Sequence, residues 1–335
     1  MKKNYYLFNP GRMSRKDNTL RFVRRDEDGM DLKPLYLPIE GIDNMYVFGS
    51  IDANSALYTF LGKHRVSVHF FDYYEHYRGS FMPKDYLLAG KMQIQQTKAY
   101  LNSKKRMHIA GGLIDGATAN ILRNLKYYHN RDLDLSVQIS QITEYRFGIH
   151  GAKDVPALMG VEGNCRQSYY TSWADIIKHF DMNGRDKQPP SNEVNALLSF
   201  ANMVCYTTVL GQIYHTQLNP TISFLHEPGA RRYSLALDIA EIFKPMLVDR
   251  LIFRLLNRRE LRQEHFDKKL NACYLSDSGR KIFLKAWEER LKETIKHRKL
   301  KKKVSYKHLI KLECYKISKY ILDIVDNYEP FKIWW

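Results

Sequence analysis

The chain has 335 residues, 44% hydrophobic and 13% aromatic, with 53 Lys and Arg against 36 Asp and Glu and a formal net charge of +17. This composition excludes a disordered chain, the length predicts two domains, and the positive excess favours a polyanionic partner, nucleic acid or an anionic membrane surface. No run approaches the ~18 uninterrupted apolar residues of a spanning helix, and MKKNYYLFNPGRMSRKDN lacks the apolar core of a secretory signal, so no membrane role is expected. Cys165, Cys205, Cys273 and Cys314 form no CxxC, which argues against disulfides and a zinc knuckle and for a reducing cytoplasm.

Residues 1–85 predict β structure. PLYLPI, MYVFG, RVSVHFFD and YRGSFMP are short, rich in β-branched and aromatic residues, and punctuated by Gly, Pro and Asp. One helix is expected around Asn54 to Leu61, closed by Gly62 in a left-handed cap. After Pro83 the pattern changes to helical, beginning with a long helix over 86–103. ATANILRNLKYYH, LSVQISQITEYRFGI, VPALMGVEGNCRQSYYTSWADIIKHF and NALLSFANMVCYTTVLGQIYHTQL repeat apolar residues at threes and fours. DMNGRDKQPPSN reads as a loop between the last two, with Asn192 capping the helix after it. GGLIDG at 111–116 has neither a preceding strand nor a following GK[ST], and is expected to start a helix. The predicted fold is α+β, a β-rich domain over 1–85 followed by a larger all-α domain over 86–335.

The chemistry concentrates in FLHEPGARRYSLALDIAEIFKP, residues 224–245. Ser234 is a suitable N-cap, and Leu235, Ile239, Ile242 and Met246 follow at helical spacing. Asp238 and Glu241, three residues apart, project from one side of that helix, with His226 in the loop before it. Acids in early helical turns have a structural reason to be there, since they face the positive end of the dipole. Buried together, however, two carboxylates repel and call for a cation. Glu162 in LMGVEGNCRQSYY is bracketed by Gly160 and Gly163, each costing a helix about 1 kcal/mol against alanine. Either close helix packing or close approach of a ligand would explain them. Arg166, one turn on, is placed to pair with Glu162 or to hold a phosphate. Glu162, His226 and Glu241 together offer two oxygens and a nitrogen, a donor set for Mg2+ or Mn2+ with positions left for substrate.

In VDRLIFRLLNRRELR, Arg250, Arg254 and Arg258 make one stripe, with Arg259 and Arg262 beside it and a Lys/Arg trend continuing through Lys299. A solvated helix face usually mixes both signs; here acids are scarce, so a phosphate-binding surface is favoured. The terminal YEPFKIWW is expected to pack on the core.

Three segments resemble the CRISPR-associated protein one family: MGVEGNCRQSYY, GRDKQPPSNEVNALLSFANMVCY and FLHEPGARRYSLALDIAEIFKP. SALYTFLGKHRVSVHFFD is similar too, though less specific. The resemblance runs from about residue 5 to residue 320. It implies a metal-dependent DNA endonuclease and integrase in a prokaryotic cytoplasm, with Glu162, His226 and Glu241 as metal ligands and catalytic residues. Asp238 would stand behind them or act as an alternative ligand. It also implies homodimers formed through the β domains, joined by a small ferredoxin-like partner protein. The substrate would be double-stranded DNA, with a 3′-hydroxyl of a captured fragment attacking a phosphodiester at a repeat boundary. Asn192 departs from the Asp expected there. Residues 227–233 vary in the family, so Arg231 and Arg232 are phosphate contacts on charge alone. A non-catalytic DNA-binding or architectural protein and a metal-dependent repair nuclease are the alternatives.

Overall fold

The computed structural model describes the chain apart from residues 1, 27, 73, 85–88, 183, 187–188, 230–231, 270–271 and 335. Two compact units cover residues 1–86 and 87–335. The expected boundary at residue 85 lies outside the described residues.

The first unit contains strands β1 (Lys3–Leu7), β2 (Gly11–Lys16), β3 (Thr19–Arg24), β4 (Leu35–Pro38), β5 (Ile42–Val47) and β6 (Ile51–Asp52), helix α1 (Ser55–Lys63), and strands β7 (Ser67–Phe71) and β8 (Tyr77–Phe81). They form two four-stranded sheets, ordered β1-β5-β7-β8 and β4-β3-β2-β6. β5 and β7 run parallel in the middle of the first sheet, and they are buried along almost their whole length, polar Asn44, Ser67 and His69 included. Parallel neighbours need a crossover, and α1 lies within it. Leu20 and Phe22, Ile42 and Met45, and Leu57, Phe60 and Leu61 of α1 share one core. Gly62 lies inside α1 rather than capping it; the left-handed residue is Arg65, at φ 59°.

The second unit is mostly helical: α2 (Gly90–Leu101), α3 (Ser103–His129), α4 (Ser136–Phe147), α5 (Val155–Thr171), α6 (Trp173–Ile176), α7 (Glu193–Tyr214), α8 (Ser234–Lys244), α9 (Arg250–Asn257), α10 (Asp277–Lys292) and α11 (Tyr306–Ile321). Two short antiparallel hairpins accompany them: β9 (Phe266–Lys269) with β10 (Ala272–Leu275), and β11 (Thr294–Lys296) with β12 (Lys303–Ser305). The Asn192 side chain caps α7, accepting from the Asn195 N–H at 2.9 Å. α7 is long and apolar enough in composition to span a membrane, but 78% of its 18-residue window is buried in this unit, which makes it a core helix. It packs on α8, and α8 packs on α3.

Between α8 and α9 the chain makes one π-helical turn, Pro245–Asp249. A proline removes a ladder donor. Two amides of α3 serve the carbonyls here, Asn120 Nδ2 donating to Ile242 O at 2.9 Å and Asn124 Nδ2 to Pro245 O at 2.5 Å. GGLIDG does not start a helix; it lies in the middle of α3. A Cβ on Gly112 would meet Tyr328 at 2.8 Å, and one on Gly116 would meet Pro330 at 2.8 Å. The glycines thus form the bed of the C-terminal segment, whose Tyr328, Phe331 and Ile333 are buried.

Candidate active site

Ser234 is the first residue of α8 and not its cap, because its hydroxyl donates backward to Thr221 O at 3.0 Å. This bond ties the helix to the loop that carries His226. Asp238, one turn into α8, has no solvent exposure. Its Oδ2 accepts from the Phe224 and Leu225 N–H groups at 2.7 and 3.0 Å; its Oδ1 accepts from the His226 N–H at 2.9 Å and meets His226 Nδ1 at 2.9 Å. A buried carboxylate satisfied on all sides needs no cation. The apolar approach FL ends in His226 because its backbone is folded around this acid. Burial is the largest single influence and pushes the imidazole pKa down, but the Asp238 hydrogen bond and the charges of Asp238 and Glu241 together outweigh it, so the net shift is upward. With Nδ1–H donated to Asp238, Nε2 keeps its lone pair for a ligand.

Glu241 faces a different set of partners. Its two oxygens are taken by Arg166 of α5 and by Lys244, one turn further along α8. Arg166 also reaches Glu162 through Nε at 3.2 Å, so a single guanidinium bridges the two acids. Burial alone would raise the Glu241 pKa, but Lys244 and Arg166 hold it down at about 2. The two acids of α8 therefore face different partners. Asp238 is neutralised by the loop, and Glu241 by two basic side chains.

Glu162, His226 and Glu241, from α5, a loop and α8, line one pocket of about 870 Å3 with Arg166 and Lys244. Gly163 lines it too, and a Cβ on Gly160 or Gly163 would meet nothing within 4 Å. Helix packing therefore does not account for these glycines. Among the described residues no three His, Cys, Asp or Glu side chains are drawn together closely enough to ligate one ion. The donor set still fits a divalent cation: two carboxylates already share one positive group, and an imidazole held in a defined tautomer faces the same space.

Lys244 carries no motif signal in the sequence beyond its i+3 spacing from Glu241. Asp249 is also unexpected. It is buried in the π-helical turn, its Oδ2 has no hydrogen-bond partner among the described residues, and burial lifts its pKa to about 7. Arg232 donates to Glu227 O at 2.8 Å, bracing its own loop, and Arg231 lies outside the described residues. Arg250, Arg254 and Arg258 do not reach the acids; they line a second cavity. All four cysteines are buried thiols.

The family model for CRISPR associated protein Cas1 matches residues 5–289. CRISPR-associated endonuclease Cas1 2 of Moorella thermoacetica is 44% identical over 333 residues, covering 99% of this chain and all of the relative. The structure of TM1797, a Cas1 protein from Thermotoga maritima, superposes with a TM-score of 0.84 at 37% identity, covering 96% of this chain and 97% of that one. A casposase bound to its integration product superposes with a TM-score of 0.88 at 18% identity, covering 100% of this chain and 95% of that one, a likeness of fold. With the motifs, the two-unit architecture and these relatives in agreement, the chain belongs to the Cas1 family of CRISPR-associated proteins.

Proposed function

We propose that this chain is a metal-dependent DNA endonuclease and integrase of CRISPR adaptation, inserting short captured DNA into a repeat array. One observation carries the proposal: Glu162, His226 and Glu241 come from three separate elements to line one pocket, with two basic side chains against it. The three would hold Mg2+ or Mn2+, which supplies polarisation of the phosphoryl group and of the attacking hydroxyl. Asp238 fixes the proton on His226 Nδ1 and so orients the ring. Arg166 and Lys244 bring charge-assisted donors to a phosphodiester entering the pocket, and the two glycines of α5 let its backbone come close. A 3′-hydroxyl loses its proton and attacks phosphorus; one P–O bond forms as another breaks, and the displaced 3′-oxygen takes up a proton.

The name of the Moorella relative supports nuclease chemistry, and the casposase caught with its integration product supports strand joining. Double-stranded DNA, a second copy of the chain and the small ferredoxin-like adaptation protein are the proposed partners. A non-catalytic DNA-binding role is favoured by one feature, the neutralisation of Glu241 by Arg166 and Lys244.

A strand-transfer assay separates the two. It combines the purified protein and its small partner with a duplex bearing free 3′-hydroxyls and a supercoiled repeat plasmid, in Mn2+ or EDTA. Joined product from wild type with metal, and none from Glu241→Ala, is expected. Product in EDTA, or from Glu241→Ala, would refute the metal centre. Intact DNA binding with no product from wild type would favour the binding role.

A further inference from the structure

A second cavity, of about 310 Å3, shares no lining residue with the acid pocket. Tyr127, Arg131, Arg250, Arg254, Arg258 and Arg290 line it, five guanidiniums facing one carboxylate, Glu293. Glu293 is already engaged by Arg290, and Arg254 Nε approaches Glu260 only to 3.5 Å, with no hydrogen-bond partner among the described residues. The lining thus gathers five guanidinium charges against one lining carboxylate.

These charges are held in place. Arg131 and Arg250 both lie over the Tyr127 ring, at 3.7 and 4.5 Å from its centroid. Arg290 lies over Tyr306 at 4.4 Å and donates to Met246 O at 3.0 Å. Tyr128 meets Phe253 edge-on at 5.5 Å, firming the wall. Burial, and then the Arg290 charge, make Arg250 easier to deprotonate than an ordinary arginine. Like charges gathered in fixed positions cost stability until an anion offsets them, and fixing them beforehand lowers the cost of binding it. Because two guanidiniums already cover the Tyr127 ring, it is not a platform for stacking a base. What remains for recognition is charge and oxygen geometry, for which guanidinium forks suit phosphate.

We propose that this cavity is a phosphate-binding site separate from the acid pocket, insensitive to base sequence. One source of the phosphate is the DNA backbone, held here while its reacting phosphodiester lies in the acid pocket; the other is a free oligophosphate. The DNA source rests on the function proposed above, whereas the phosphate chemistry does not. Glu241 and Arg250 lie on one continuous helical segment, on the order of 14 Å apart along its axis at ~1.5 Å per residue. That separation is roughly four phosphates of one strand at ~3.4 Å each.

The test uses full-length wild type and an Arg131→Gln/Arg258→Gln double variant, both positions being exposed, with thermal melts to confirm folding. Each protein is titrated with pyrophosphate by calorimetry, and with two labelled duplexes of unrelated sequence across a salt series. For the DNA source, the double variant should lower the slope of log affinity against log salt by about 1.8, two contacts at ~0.9 each, equally for both duplexes. For the free source, pyrophosphate binding is lost and the duplex slope stays. Tyr127→Leu keeps every charge but removes their anchor, and should weaken the same ligand with the slope unchanged. An unaltered slope together with unaltered pyrophosphate binding in the double variant overturns the proposal. Metal-dependent joining is measured on the same preparations. A wild type that fails to join, yet binds phosphate through these arginines, removes the integrase function and leaves this site standing.

Discussion

Asp238 and Asp249 are both buried acids of one helical run, and their neighbours treat them in opposite ways. Asp238 accepts three backbone N–H groups and the His226 ring, so removing it strands the buried N–H donors of Phe224 and Leu225. Asp238→Ala is expected to cost about 3 kcal/mol or more, read from urea unfolding, at ~1–3 kcal/mol for each donor left unpaired. A loss under ~1 kcal/mol would mean the loop refolds without it. Asp249 has no such set, and burial raises its pKa to about 7. Its folded pKa thus exceeds the unfolded one, so its contribution is fully present below about pH 4 and is lost as pH rises toward 7. Asp249→Asn should flatten that part of the stability curve, by on the order of 4 kcal/mol between its ends. Parallel melting curves for wild type and variant over pH 4–8 would contradict this.

At the scale of elements, glycines in two helices do opposite jobs. Gly163 of α5 faces open space beside Glu162, so alanine fits there and recovers helix propensity. Gly163→Ala should therefore leave the protein as stable or up to about 1 kcal/mol more so, while weakening DNA joining, because the added methyl occupies the approach to Glu162. Unimpaired joining in a stable variant would remove the close-approach explanation. Gly112 and Gly116 of α3 instead lie under the C-terminal segment. Gly116→Ala must push Pro330 and the carbonyl of Phe331 away, and overpacking of this kind costs about 1–3 kcal/mol. Limited proteolysis should release the C-terminal segment of that variant sooner than in wild type; equal protection would mean the bed yields without strain.

For the whole molecule, the proposed homodimer has a surface in the first unit. β4 is an edge strand, and Leu35 and Tyr36 on it are 48% and 44% exposed, with Met30 nearby in the chain at 67%. An apolar edge is a template for pairing with another chain. Leu35→Lys should give the mass of one chain by light scattering where wild type gives two. A dimeric variant with unchanged dissociation would place the interface elsewhere.

Periodicity and composition were enough to read the α+β division, the presence of helix α8 (though not its cap) and the Asn192 cap, because these depend on neighbours within one or two turns. Composition also carried the positive excess behind the proposed polyanionic partner, since charge is carried by the residues themselves. Which acid faces which partner was decided only in three dimensions. Asp238 and Glu241 are equivalent by spacing, yet one closes a loop 12 to 14 residues upstream in sequence, and the other meets an arginine 75 residues away. The same holds for Gly62, Gly112 and the arginine stripe, whose surroundings come from distant segments. A local pattern specifies an element and the side a residue projects from; burial, pairing and pKa depend on what the fold brings to that side.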